Sequence, residues 1–270
     1  MTKQLLIYDN VVPVNRQVHQ KTSVSRTSSF GFARDVNAVP IVDVEFPRAC
    51  VETPIVFSRT ETGVVPLALL STQKDSNAFV DANDSWTGRY LPAFFRRYPF
   101  VFAAQEGSDQ MTLCLDEGYA GLNTDDKGER LFDSEGTETT YLRSVLQFVE
   151  EYQATFNRTQ GFCDRLEEAG LLEEARIDFT LADGTKGGIT GFLRVSNEKL
   201  RALPDEEITK LFRSGVLDLI QIHMLSMQQI EALVTKTASA AAEAPAEATS
   251  EETLEDTSDD KADAAEASVH

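Results

Sequence analysis

The sequence predicts an α+β fold, with a mixed or antiparallel sheet packed by a long amphipathic helix and a C-terminal helical block. Three observations predict it. Apolar residues recur at steps of three and four through 139–169, two alternating segments flank Asp183-Gly184, and breakers divide the chain after Val195 into short helical pieces.

A strand is expected within Leu5–Val14, inside an N-terminal segment, 1–37, whose structure is otherwise unassigned. Pro54–Phe57 and Val64–Leu70 read as two strands joined by a turn near Gly63. Proline has no N–H to give to a ladder, so Pro66 places the second strand at an edge or starts it there. Pro47 limits any helix between Asp43 and Glu52 to about one turn. In 79–100 a strand end at Phe79-Val80 precedes a turn at Asn83-Asp84. A short helix then starts near Pro92 and stops at Pro99. Met111–Asp116 reads as a strand.

Thr139–Ala169 is the clearest helix. Its seam runs through Leu142, Val145, Val149, Tyr152 and Phe156 and continues to Cys163 and Leu166. Polar Thr159 weakens the seam, which favours a helix lying on a core over a coiled coil. Gly170 supplies a left-handed stop. Ile177–Val195 reads as a hairpin, because Asp-Gly provides the positive φ angles that a tight turn demands. Carboxylates at Asp205, Glu206 and Glu207 suit the positive end of a helix that Gly215 breaks. Val216–Val234 forms a last apolar helix, re-nucleated near Ser226.

Residues 1–235 are expected to form one domain. Residues 236–270 carry ten carboxylates against two lysines and almost no large apolar side chain. That segment buries too little surface to offset its ordering entropy, so it is expected to be a disordered acidic tail. The whole chain has 44 Asp and Glu against 25 Lys and Arg, for a formal charge of −19, and residues 1–235 remain acidic without the tail. Such a surface repels phosphate backbones, so nucleic acid is not an expected partner. No apolar run reaches the roughly 20 residues of a membrane helix, and the first residues lack the features of a signal peptide. The expected location is the cytoplasm. Cys50, Cys114 and Cys163 are odd in number and widely spaced, which fits a reducing compartment.

No nucleotide-binding glycine loop or nucleophile elbow is present, and Gly184, Gly187, Gly188 and Gly191 fall in the hairpin. The histidines and cysteines have no metal-ligand spacing, so neither a metal nor a cofactor is expected. His223 sits in an apolar helix and reads as a core histidine unless a partner makes it a base. The aromatic segment is the most suggestive. Trp86 lies in an expected loop with Asp81 and Arg89 nearby, followed by Tyr90, Arg96, Arg97 and Tyr98. Tryptophan, tyrosine and arginine together are typical of recognition surfaces. The plainer alternative puts the aromatics in the core and pairs the arginines with the many carboxylates.

Several segments resemble the bacterial SapC-like family. They are Phe32-Ala33, Val39-Pro40-Ile41, Glu45-Phe46 and Pro54–Phe57; Phe79-Val80-Asp81, Trp86, Gly88–Phe94 and Arg97–Phe100; Leu131-Phe132-Asp133 with Gly136; and Leu211 through Gln229, with Ser214-Gly215 and His223. The resemblance runs from about His19 to Leu233, and it is carried by the order and spacing of these segments. Pro47 and Thr53 depart from the pattern. The resemblance implies an association with surface-layer proteins or outer-membrane uptake receptors, and it assigns no catalytic residue. A permease label used for some members conflicts with the missing membrane segment. The expected function is therefore a non-catalytic accessory protein of a surface-layer or outer-membrane uptake or export system. Its partner would be a protein or peptide, bound through Asp81, Trp86, Arg89, Tyr90, Arg96, Arg97 and Tyr98. Two alternatives stay open: an enzyme site assembled from distant residues such as Asp81, Tyr90, Arg97 and His223, and a glycan or small-molecule sensor built on Trp86.

Overall fold

The computed structural model describes residues 6–104, 111–180, 184 and 186–243. In chain order the first elements are β1 (Val11–Pro13), α1 (Arg16–His19), β2 (Ser23–Val24), β3 (Ala38–Pro40), α2 (Phe46–Ala49), β4 (Ile55–Thr60) and β5 (Gly63–Leu69). The aromatic segment gives α3 (Ala93–Arg96), followed by β6 (Phe100–Ala104), β7 (Met111–Asp116), β8 (Leu122–Asn123) and β9 (Glu129–Arg130). Then come α4 (Thr140–Glu168), β10 (Leu172–Thr180), β11 (Lys186–Val195), α5 (Asn197–Arg201), α6 (Asp205–Arg213), α7 (Val216–Ser226) and α8 (Ile230–Glu243). The fold is α+β, and every strand pair among the described residues is antiparallel.

The main sheet has the order β10-β11-β4-β5-β3, and two smaller sheets run β1-β7-β6 and β8-β2-β9. Pro66 sits inside β5, opposite Phe57, and β5 is not an edge strand. The sheet tolerates it because the ladder to β3 ends there. The Pro66 carbonyl still accepts from the Ile41 N–H at 3.2 Å, just past the end of β3, and the missing N–H falls where little pairing remains.

The 29 residues of α4 join the two main apolar clusters. Leu142 and Val149 pack with Phe100, Leu115 and Leu131, whereas Phe162, Cys163 and Leu166 pack with Phe46, Phe57 and the main sheet. Thr139 caps the helix by accepting from the Leu142 N–H at 3.2 Å. Thr159, the polar interruption of the seam, is buried for a reason: its hydroxyl accepts from the Asp43 N–H at 2.9 Å and donates to the Thr155 carbonyl at 2.8 Å. It fastens the 43–45 turn to the helix. Gly170 adopts φ 65°, the left-handed stop its position requires.

The hairpin starts five residues earlier than its alternation suggests, at Leu172, and Asp183 of its expected turn lies outside the described residues. The expected boundary at residue 236 needs correction. Helix α8 continues through Lys236 to Glu243, and Thr237 is buried, its hydroxyl accepting from the Thr72 N–H at 3.2 Å. The Ala-rich composition that reads as tail here is also the best helix-forming composition. Residues 244–270 of the expected tail lie outside the described residues.

Candidate functional site

The structure divides the seven predicted site residues among three settings. The first is a structural loop. The Asp81 carboxylate accepts from the N–H groups of Asn83 at 2.9 Å and Ser85 at 2.8 Å, closing the turn before Trp86. The Trp86 ring stacks on Phe79 with 5.5 Å between centroids, and its Nε1 donates to the Tyr90 carbonyl at 3.1 Å. Phe30 and Phe95 flank it, so Trp86 is a half-buried packing residue rather than an open platform. Arg89 is exposed, and its backbone N–H donates to Glu52 at 2.9 Å.

The second setting is a buried carboxylate. Glu45 accepts from the Tyr90 hydroxyl at 2.7 Å, the Ala93 N–H at 2.8 Å and the Val42 N–H at 2.9 Å. Three donors compensate the burial of this carboxylate, which has no cation within ion-pair distance among the described residues. Burial, and then the Glu45 carboxylate, push the Tyr90 hydroxyl up to about 12, so it remains a donor. Arg96 is exposed and lies over the Tyr90 and Phe148 rings at 5.8 and 5.4 Å. The sequence pointed to Tyr90 and passed over Glu45, whose only signal was its place beside Phe46 in the family resemblance.

The third setting is Arg97, expected either on a recognition surface or paired with a carboxylate. It is 5% exposed. With only four residues, α3 is too short for two distinct faces, and Arg97, its C-terminal cap, turns inward. The guanidinium lies 4.3 Å from the centroid of Phe94, 4.7 Å from that of Tyr152 and 5.8 Å from that of Tyr8. Among the described residues it forms no ion pair, and its Nε–H has no acceptor. Buried Asp116 is engaged elsewhere, accepting from Asp9, Asn10 and Gly118 N–H groups at 2.9, 3.0 and 2.9 Å and from the Tyr98 hydroxyl at 3.3 Å. Burial, and then Asp116, push the Tyr98 hydroxyl up. A desolvated contact with a ring face is worth about 2 kcal/mol, which offsets much of the cost of burying the cation. Ring faces do not accept in-plane N–H donors, however, and each buried donor left unmade costs about 1–3 kcal/mol.

Two cavities border Arg97. One is a cleft of about 510 Å³ between the 24–32 segment, α3 and the first half of α4. Its aromatic wall includes Phe30, Phe32, Tyr98, Tyr141 and Phe148. It is also lined by Arg26, Arg96 and Arg97, with no Asp or Glu among the described residues that line it. The other is a pocket of about 400 Å³ between α3, α4 and the β3-β5-β4 face.

The residues once grouped as an assembled enzyme site do not meet. Asp81, Tyr90, Arg97 and His223 share no hydrogen bond with one another among the described residues. His223 is 1% exposed; its Nε2 accepts from the Val195 N–H at 3.1 Å, and its Nδ1 lies 2.8 Å from the Ile55 carbonyl. These contacts assign the proton to Nδ1, and burial lowers the pKa to about 4. The residue is a neutral tie between β4, β11 and α7. Cys50, Cys114 and Cys163 are all buried and free, and burial pushes each thiol up. Among the described residues, no three His, Cys, Asp or Glu side chains gather as a metal-ligand set, and no helix is long and apolar enough to cross a membrane.

No curated protein and no solved structure matches this chain. Comparison with protein families matches SapC over residues 14–233, which takes in every element from α1 to α7, the cleft, and the described lining of the second pocket except Leu6. The chain belongs to the SapC family.

Proposed function

We propose that this chain is a non-catalytic interaction protein that holds an acidic peptide or protein segment in the arginine-lined aromatic cleft. One observation carries the reading: in a chain of net charge −19, a cleft of about 510 Å³ with an aromatic wall is lined by three arginines and, among the described residues, by no Asp or Glu. Aromatic rings supply area at low entropic cost, and arginines at the rim select an anionic partner and speed its approach. The ring nitrogens of His223 are occupied by backbone groups, and the three cysteines are sealed by packing. The setting we propose, a bacterial surface-layer or outer-membrane uptake or export system, follows from the family resemblance and not from the geometry.

The test is affinity capture from bacterial lysate with cross-linking mass spectrometry, comparing the wild type with an Arg26→Glu, Arg96→Glu variant. Both side chains are exposed, so the variant should fold normally. A partner whose acidic segment cross-links at the cleft, and which the variant loses, supports the reading. A partner retained by the variant, or no partner for folded wild type, defeats it.

A further inference from the structure

The second cavity differs from the cleft in its chemistry. Its walls are largely apolar: Pro40 from β3, Val65 and Leu67 from β5, Phe94 from α3, Phe156 from α4, and Leu6. Neutral side chains such as Asn37, Thr60 and Thr62 stand at its exposed margin. Arg97 is the one charged residue among the described residues lining it. The pocket therefore combines a single buried cation, its Nε–H without an acceptor, with an apolar chamber of about 400 Å³. This is the usual composition of a small-molecule site, in which apolar walls supply affinity and one polar group fixes orientation.

We propose that this pocket binds a medium-chain aliphatic monocarboxylate, with the carboxylate on Arg97 and the chain against Val65, Leu67, Phe94 and Phe156. A single guanidinium matches the two oxygens of a single carboxylate, whereas a doubly charged phosphate would need further donors that the lining lacks. Taking about 30 Å³ for a water-sized group, the chamber holds on the order of a dozen non-hydrogen atoms, the size of a ten-carbon acid. Glu45 and Asp116, the buried carboxylates of the neighbourhood, do not line the pocket and are satisfied by their own donors. Arg97 borders both the cleft and this pocket, but Arg26 and Arg96 line the cleft and not this pocket, so their substitution tests the partner-binding reading alone.

The experiment titrates full-length protein, freed of bound lipid, with decanoate and with decanol. Calorimetry gives affinity, and the side-chain N–H spectrum of the arginines reports on Arg97. Decanoate should bind one to one, at least tenfold tighter than decanol, and should shift the Arg97 Nε–H resonance. Arg97→Met should weaken decanoate at least tenfold. Should that variant not fold, Val65→Phe, which fills the chamber and spares the cation, should abolish binding. No saturable binding to wild type overturns the proposal, and so do equal affinities for decanoate and decanol. Binding that emerges only after deletion of residues 1–5, which precede Leu6 at the wall, also overturns it, since the chain itself would then be the occupant.

Discussion

His223 and Arg97 lie in one molecule at similar depth, 1% and 5% exposed, yet their surroundings differ in kind. Both His223 nitrogens meet backbone groups of two strands, and the ring stays neutral. Arg97 meets three rings and has, among the described residues, no acceptor for its Nε–H. The difference separates two uses of a buried polar side chain. A residue whose hydrogen bonds close within the fold is structural, and one whose bonds remain open beside a cavity is suited to a ligand.

The largest expected effect is on the closed side. His223→Ala removes the partner of the Val195 N–H and the Ile55 carbonyl and leaves a cavity, so it should destabilise by about 3–5 kcal/mol in urea denaturation. A loss under about 1 kcal/mol would place His223 outside the structural class.

The same residue sets a pH dependence. Its folded pKa of about 4 lies below the ordinary 6.5, so the unfolded chain binds more protons between those values. The contribution is fully present above pH 6.5, declines as pH falls toward 4, and amounts to about 3 kcal/mol. His223→Gln should flatten that window in melts taken from pH 7 to 4.

Tyr90 is intermediate. Tyr90→Phe takes one of three donors from Glu45 and should cost about 1–2 kcal/mol.

The smallest effect belongs to the open side. Arg97→Met replaces a cation that has no ion pair with an apolar chain of related length, and should change stability by no more than about 1 kcal/mol. A loss of about 3–5 kcal/mol, the cost of breaking a buried pair, would show that Arg97 is closed like His223.

Much of this contrast could be read from sequence on the closed side only. His223 announced itself by its apolar neighbours, α4 by its seam and stop glycine, and the β10–β11 hairpin by Asp-Gly. Strands of two residues such as β2, β8 and β9 are too short to show any period. The β6 strand follows Pro99 directly, and no element was expected over Phe100–Ala104. Arg97 was misplaced because arginine is rarely buried, so its residue type argued for the surface, and its inward turn depends on Tyr8 and Tyr152, distant in sequence. Trp86 donates to the Tyr90 carbonyl close by in sequence, but the Phe79 ring that covers it could not be inferred from spacing alone.

The three sealed thiols give the molecule a set of internal clocks. Cys50 caps α2, Cys114 lies in β7 and Cys163 in α4, so each reports on a different part of the fold. A buried thiol reacts with an alkylating reagent only when its surroundings open, so the labelling rate at each site measures the frequency of that local opening. Three rates that coincide would mean that the small sheet, the long helix and the main core come apart as one unit. Three that differ would rank the order in which they do.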